Sequence, residues 1–266
     1  MAGILGIDAA WTEKEPSGVA LLESSQVGWR CVAVTPSYGS FLALAEGTPV
    51  DWDAKTKGAL PDVGRLVAAA GTLLSWRRMT VVTVDMPLST EPITGRRAAD
   101  AAISKAYGGR GAAVHSPSYE RLGSISDQLT RDFAASGFPL ATGATPVGTP
   151  YRLVEVYPHP ALMTLTGAGY RLPYKVSRSR RYWSKSSPAE RRANLLTQFA
   201  EIASALKGEI RDIPIELPEP DSMISTSGLK RYEDSLDALV CAWVGAKYLL
   251  GEAVPYGDGT AAIWVP

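Results

Sequence analysis

Apolar and polar positions along the chain follow two periods. Ile4 to Ala10 is a strand-like apolar run with Asp8 at its end. Gly18-Val19-Ala20-Leu21-Leu22 follows the turn signal Glu15-Pro16-Ser17, and Trp29 to Thr35 follows the polar break Ser24-Ser25-Gln26. Connections this short predict an antiparallel three-strand meander. From Asp62 to Arg78, Val63, Leu66, Val67, Ala70, Leu73 and Leu74 recur at helical spacing, with Pro61-Asp62 as the start signal. Thr80-Val81-Val82-Thr83-Val84-Asp85 is too short and too β-branched for a helix and stops at Met86-Pro87. Strand, helix and strand in that order predict a crossover to a parallel neighbour.

Residues 88–150 are richer in Gly, Pro, Ser and Arg and read as an elaborated loop with one helix, Arg96 to Tyr107. Arg152 to Tyr157 returns to strand, closed by Pro158-His159-Pro160. Ser187-Pro188-Ala189-Glu190 is a capping box opening a helix through Leu195, Leu196, Phe199, Ile202 and Leu206 to Gly208. A Pro- and acid-rich connector, Ile213 to Asp221, precedes a last helix from Ser235 to Leu250 and a short tail. This order is the layout of the ribonuclease H-like fold. The expectation is an α/β domain over 1–266, with elaborations at about 88–150 and 160–230. Its mixed five-stranded sheet, three antiparallel strands plus parallel strands, is flanked by helices with an inserted loop and helical region.

Composition narrows the chemistry. Twenty-seven Lys plus Arg balance twenty-seven Asp plus Glu, which excludes a protein whose whole surface grips nucleic acid and leaves room for a local basic patch. No apolar run reaches the ~18 residues of a membrane span, and the opening Gly3-Ile4-Leu5-Gly6-Ile7 lacks the features of a signal peptide, so a cytoplasmic location is expected. Two cysteines, Cys31 and Cys241, and two histidines, His115 and His159, are too few for a Cys- or His-rich metal site. Any metal chemistry falls to carboxylates.

Two strands end alike, at Asp8 and at Asp85, and parallel neighbours would set these acids side by side at one sheet edge. Asp234 and Asp237, three apart near the start of the last helix, share one helix face. Glu155 is a fourth acid, in mid-strand. Hard divalent cations, Mg²⁺ or Mn²⁺, take such oxygen ligands, and two of them about 3.5 to 4 Å apart hold the attacking and leaving oxygens of a phosphodiester. Each acid also has a structural reading: Asp8 and Asp85 as strand-end turn residues, Asp234 with Asp237 as an acidic cap, Glu155 as a solvent-facing strand residue.

Gly6-Ile7-Asp8-Ala9-Ala10-Trp11, Val84-Asp85-Met86-Pro87-Leu88, Gly95-Arg96-Arg97-Ala98-Ala99-Asp100, Glu155-Val156-Tyr157-Pro158-His159-Pro160 and Asp234-Ser235-Leu236-Asp237-Ala238 together resemble the domain-of-unknown-function family 429. The resemblance runs from residue 3 to about residue 265. That family is described as predicted nucleases of the ribonuclease H-like fold, so the resemblance implies a metal-dependent nuclease. By position it implies an acidic triad of Asp8, Asp85 and Asp237, with Asp234 similar to the extra acid of the Holliday-junction resolvase branch. Glu155 and His159 match a block of the family with no agreed role.

Between Arg171 and Arg192, the cations Lys175, Arg178, Arg180 and Arg181 alternate with Tyr174, Tyr182 and Trp183, a mixture suited to phosphate pairing and base stacking or to a plain solvated loop. Arg96 and Arg97 at a helix start offer a second anion site. His159 reads either as a proton donor to the leaving oxygen or as a structural histidine. The expected function is two-metal hydrolysis of nucleic-acid phosphodiesters. Its rivals are an ATP-binding phosphotransferase of the actin and sugar-kinase type, for which Gly257-Asp258-Gly259-Thr260 supplies a phosphate-loop-like string, and a non-catalytic nucleic-acid or protein adaptor.

Overall fold

The three opening apolar runs form β1 (Gly3–Asp8), β2 (Gly18–Ser25) and β3 (Gly28–Thr35), paired antiparallel as the short connections require. The computed structural model describes residues 2–75, 78–115 and 125–266. A short helix that the pattern did not announce, α1 (Tyr38–Ala45), follows with Ser37 as its cap. The periodic stretch forms α2 (Val63–Leu73), where Asp62 accepts the Arg65 N–H at 3.0 Å. It ends short of Arg78, since Ser75 turns to a left-handed φ of 51°; positions 76–77 of that expected helix lie outside the described residues.

The chain continues through β4 (Met79–Asp85), α3 (Ala98–Tyr107), α4 (Ile125–Ala135), β5 (Arg152–Val156), α5 (Pro158–Thr166), α6 (Ser179–Tyr182), α7 (Pro188–Glu209), β6 (Ile210–Arg211), α8 (Thr226–Leu249), β7 (Val254–Gly257) and β8 (Ala262–Val265). Residues 116–124 of the expected insert lie outside the described residues. The capping box is present: Glu190 N–H meets Ser187 Oγ at 3.2 Å and Ser187 N–H meets Glu190 Oε2 at 2.6 Å. Pro158-His159-Pro160 does not merely close a strand. It is the first turn of α5, with proline where the helix needs no N–H.

The sheet has eight strands among the described residues, in the order β6-β3-β2-β1-β4-β5-β8-β7, and not the five expected. β6 adds in parallel to β3, β8 in parallel to β5, and β7 antiparallel to β8. The expected tail becomes strand because it is apolar and buried, from Ala261 to Val265, and it satisfies the backbone edge that β5 would otherwise expose.

Alternation along the central strands feeds two helical layers. Leu5, Ile7, Leu21 and Val82 pack with Phe41, Leu66, Leu129 and Phe133 on the side of α1, α2 and α4. Ile4, Leu22, Val81 and Val154 pack on the other side with Phe199 of α7 and Leu239 of α8. Every residue of α8 from Arg231 to Ala246 is buried. The helix begins nine residues before the expected Ser235, capped by Ser225, so Asp234 and Asp237 sit in its interior and not at its start. Two glycines let it lie directly on the sheet. A β-carbon on Gly6 would stand 2.4 Å from the Ala238 carbonyl oxygen, and one on Gly18 2.1 Å from that of Asp234. Among the described residues no helix is long and apolar enough to cross a membrane.

Candidate carboxylate centre

Asp8 and Asp85 are register partners at the ends of the parallel strands β1 and β4, and Asp8 is also paired with Gly18 across β2. Since Gly18 touches the backbone of Asp234, the sheet edge and α8 are locked together at that point. The cleft there, of about 380 Å³, is lined by Asp8, Asp85, Asp234 and Lys230 together with the 9–11 and 15–16 segments. Among the described residues, no side chain hydrogen-bonds to the carboxylate of Asp8 or Asp85. Burial first, and then the charge of Asp8, push the Asp85 carboxyl well above its usual range.

Three acids of α8 line up behind this pair. Tyr174 donates its hydroxyl to Asp237 Oδ1 at 2.7 Å, and Lys175 Nζ stands 2.5 Å from Asp237 Oδ2 and 3.4 Å from Glu233 Oε1. Lys230 Nζ donates to Glu233 Oε1 at 2.8 Å and to Asp234 Oδ1. Asp234 Oδ2 is buried with no hydrogen-bond partner among the described residues. Burial, opposed by Lys175 and reinforced by Asp8, raises Asp237 to about 6. Burial and the Asp8 charge hold Asp234 well above the usual range. Glu233 goes the other way. Burial works to raise it, but Lys175, Lys230 and the Val176 N–H at 2.6 Å hold it down. Lys175, which burial alone would pull down, is kept well above its ordinary value, chiefly by Asp237. Five carboxylates thus meet two ammonium groups. Among the described residues no group of three or more His, Cys, Asp and Glu side chains is arranged to hold a metal ion as it stands, and the two lysines lie on the oxygens of Asp234 and Asp237.

Other residues singled out in the sequence border the centre without joining its lysine and carboxylate contacts, and Glu155, Arg97 and His115 line an adjoining pocket that Asp85 also borders. Glu155 does not face solvent; it is 2% exposed. It accepts Arg97 Nη1 at 2.6 Å, Arg97 Nη2 at 2.7 Å and the Leu88 N–H at 2.8 Å. Arg97 also binds Asp100, Nη2 to Oδ1 at 2.7 Å, so its guanidinium is committed to carboxylates, and Arg96 Nη2 reaches the Asp100 carbonyl at 3.1 Å. His159 is buried in α5 with its ring edge-on to Tyr157 and Tyr174, centroids 5.2 and 5.4 Å away. Burial, with Arg171, Lys175 and Arg178 nearby, keeps it well below its ordinary value, hence neutral. His115 lies 3.5 Å from Arg178. Arg180 lines a separate pocket, and Arg181 is exposed on α6.

The basic stretch is therefore divided: Lys175 points into the acids, while its arginines stay outside. Glu233, Lys230 and Tyr174 belong to the centre although the sequence did not single them out for it. The Lys230-Glu233-Asp234 spacing, three and four residues along a helix, was the available signal. Neither the curated proteins nor the solved structures contain a chain that this one matches. A family model does match residues 6–261, a span holding every acid of the centre, and the chain belongs to that family, described as protein of unknown function (DUF429).

Proposed function

We propose that the protein is a divalent-metal-dependent nuclease, hydrolysing phosphodiester bonds of nucleic acid on a sheet of ribonuclease H-like layout. The strand order β3-β2-β1-β4-β5, with β2 antiparallel and the rest of that central set parallel around β1, supports the layout. The observation that carries the activity is the convergence of Asp8, Asp85 and Asp234 on one open cleft, with Asp237 behind them. The donor set fits a hard divalent ion such as Mg²⁺ or Mn²⁺ in three respects: the ligands are carboxylate oxygens, negative charge is in surplus, and Asp234 Oδ2 is buried without a partner. Asp8, Asp85, Asp234 and Asp237 hold the ions in this reading.

Ions held there would supply Lewis-acid chemistry at the phosphoryl oxygens. Lys175 and Lys230 balance the acids, and the half-exposed Lys230 at the cleft wall pairs with an entering phosphate. His159, buried between two tyrosines, packs its ring against Tyr174, whose hydroxyl holds Asp237. The phosphotransferase reading has no comparable support. Gly257-Asp258-Gly259-Thr260 closes the β7–β8 hairpin, where Asp258 Oδ1 accepts the Thr260 N–H at 2.9 Å, and it does not line the cleft.

The test is cleavage of labelled single-stranded, double-stranded and branched oligonucleotides with Mg²⁺, Mn²⁺ or EDTA. Cleavage should require the metal and fall by at least about 100-fold in Asp8→Asn. Undiminished cleavage by that variant sinks the assignment, and tight ATP binding without cleavage favours the phosphotransferase.

A further inference from the structure

On the flank of the carboxylate centre, the first turns of α7 and α8 and the 176–180 segment enclose a second cavity of about 630 Å³. Arg180, Arg191 and Arg192 line it together with Ser225 and Thr226, and none of its lining residues is acidic. In a chain whose total charge is zero, three arginines lining one cavity are a local excess of positive charge.

These arginines are poorly satisfied from within. Arg180 has no hydrogen bond or ion pair among the described residues. Arg192 Nε is buried without a partner, and Arg192 Nη2 reaches only the Met223 sulfur at 3.6 Å, a weak acceptor. Arg191 spends one nitrogen on the Ser186 carbonyl. A buried guanidinium N–H without an acceptor costs stability, and phosphate is the anion whose geometry a guanidinium fork matches best. The first turn of α8 carries no acidic side chain to compete with such an anion.

The walls carry more information. Val176, Leu195, Ile224 and Leu229 give the cavity an apolar side, and its volume is several times that of one phosphate group and within the range of small-molecule sites. Val176, which follows Lys175, donates its N–H to Glu233, and Leu229 precedes Lys230, so the cavity adjoins the carboxylate centre. We propose that this cavity is a nucleotide-phosphate site: Arg180, Arg191 and Arg192 hold the phosphate, and the apolar wall takes the sugar or base. The link to nucleic acid rests on the nuclease reading; the affinity for a nucleotide phosphate does not.

Calorimetric titration of the full chain in EDTA at low salt, where the carboxylate cleft repels anions, separates the possibilities. Thymidine 5′-monophosphate should bind at one site, thymidine should not, and inorganic phosphate should bind at least tenfold more weakly than the nucleotide. Arg180→Ala, an exposed position, and Arg192→Gln should each weaken nucleotide binding at least tenfold, with thermal melting confirming the fold. Equal binding of nucleotide and thymidine overturns the proposal. So does inorganic phosphate binding as tightly as the nucleotide, or unchanged binding by Arg180→Ala. No divalent ion and no turnover enter this measurement, so its failure is distinct from retained cleavage by Asp8→Asn, which bears on the carboxylate centre alone.

Discussion

Arg97 and Glu155 meet in a two-pronged ion pair, Nη1 to Oε2 at 2.6 Å and Nη2 to Oε1 at 2.7 Å, with side-chain exposures of only 7% and 3%. Asp100 and the Leu88 backbone complete the network, which ties α3 to β5 and fixes the chain just beyond Asp85. Burial pushes Glu155 upward, and Arg97 and the Leu88 N–H oppose that push. Arg97→Met strands two buried carboxylates and should lower unfolding free energy by about 3–5 kcal/mol in urea titrations. Arg97→Met combined with Glu155→Leu should recover part of that loss. A single-variant loss below about 1 kcal/mol would show that the pair is not structural.

Contact between Gly18 and the Asp234 carbonyl sets how far α8 stands from the sheet. Gly18→Ala forces backbone against backbone, and a cost of about 1–3 kcal/mol is expected together with lost metal-dependent activity, because Asp234 moves away from Asp8. Gly71 is the control: it lies in α2 with open space around it, so Gly71→Ala should stabilise by about 0.5–1 kcal/mol and leave activity alone. Equal effects of the two variants in thermal melts would remove the special role of Gly18.

His159 predicts an acid limb. Its folded-state value lies well below the ordinary 6.5, so below about pH 6.5 the unfolded chain takes up a proton that the folded chain refuses, and stability falls as pH drops. His159→Phe keeps the ring packing against Tyr157 and Tyr174 and removes that proton. Its stability between pH 7 and pH 5 should decline less than that of the parent, by about 1.4 kcal/mol per pH unit within the window. Parallel pH profiles would mean that His159 is protonated in place.

How much of this was legible follows from what each signal reports. Period-two and period-3.6 patterns report which local face is buried, so β1, β4 and the pair Asp8 and Asp85 stood out, each as the lone charge ending an apolar run. The start of α8 lies ahead of the expected Ser235 because Arg231, Glu233 and Asp234 look like solvent-facing residues, yet tertiary contacts bury them in mid-helix. Its true cap, Ser225, has Gly228 where a capping box puts Glu or Gln. β8 reads as a tail in the sequence because four residues carry too little period to distinguish strand from coil. Pairings such as Arg97 with Glu155 and Lys175 with Asp237 join residues 58 and 62 apart. Charge patterning marks such groups as available; only the topology decides which of them meet.

Asp85 connects stability to function at the carboxylate centre. Burial and Asp8 raise its carboxyl well above 3.8, so the folded chain binds a proton that the unfolded chain has already released. Stability therefore declines as pH rises above about 3.8 toward the raised value, and above that value the whole penalty is present. Asp237, raised to about 6, adds in the same direction. Asp85→Asn removes one such charge and should stabilise the protein by about 0.5–2 kcal/mol at pH 8, with the difference vanishing near pH 4. A divalent cation relieves the same repulsion in the parent chain, so Mg²⁺ or Mn²⁺ should raise the melting temperature more at pH 8 than at pH 5.5. In Asp85→Asn that gain should shrink while the metal-free protein melts higher. A less stable Asp85→Asn at pH 8, or the same Mg²⁺ shift in variant and parent, would remove Asp85 from the cation site.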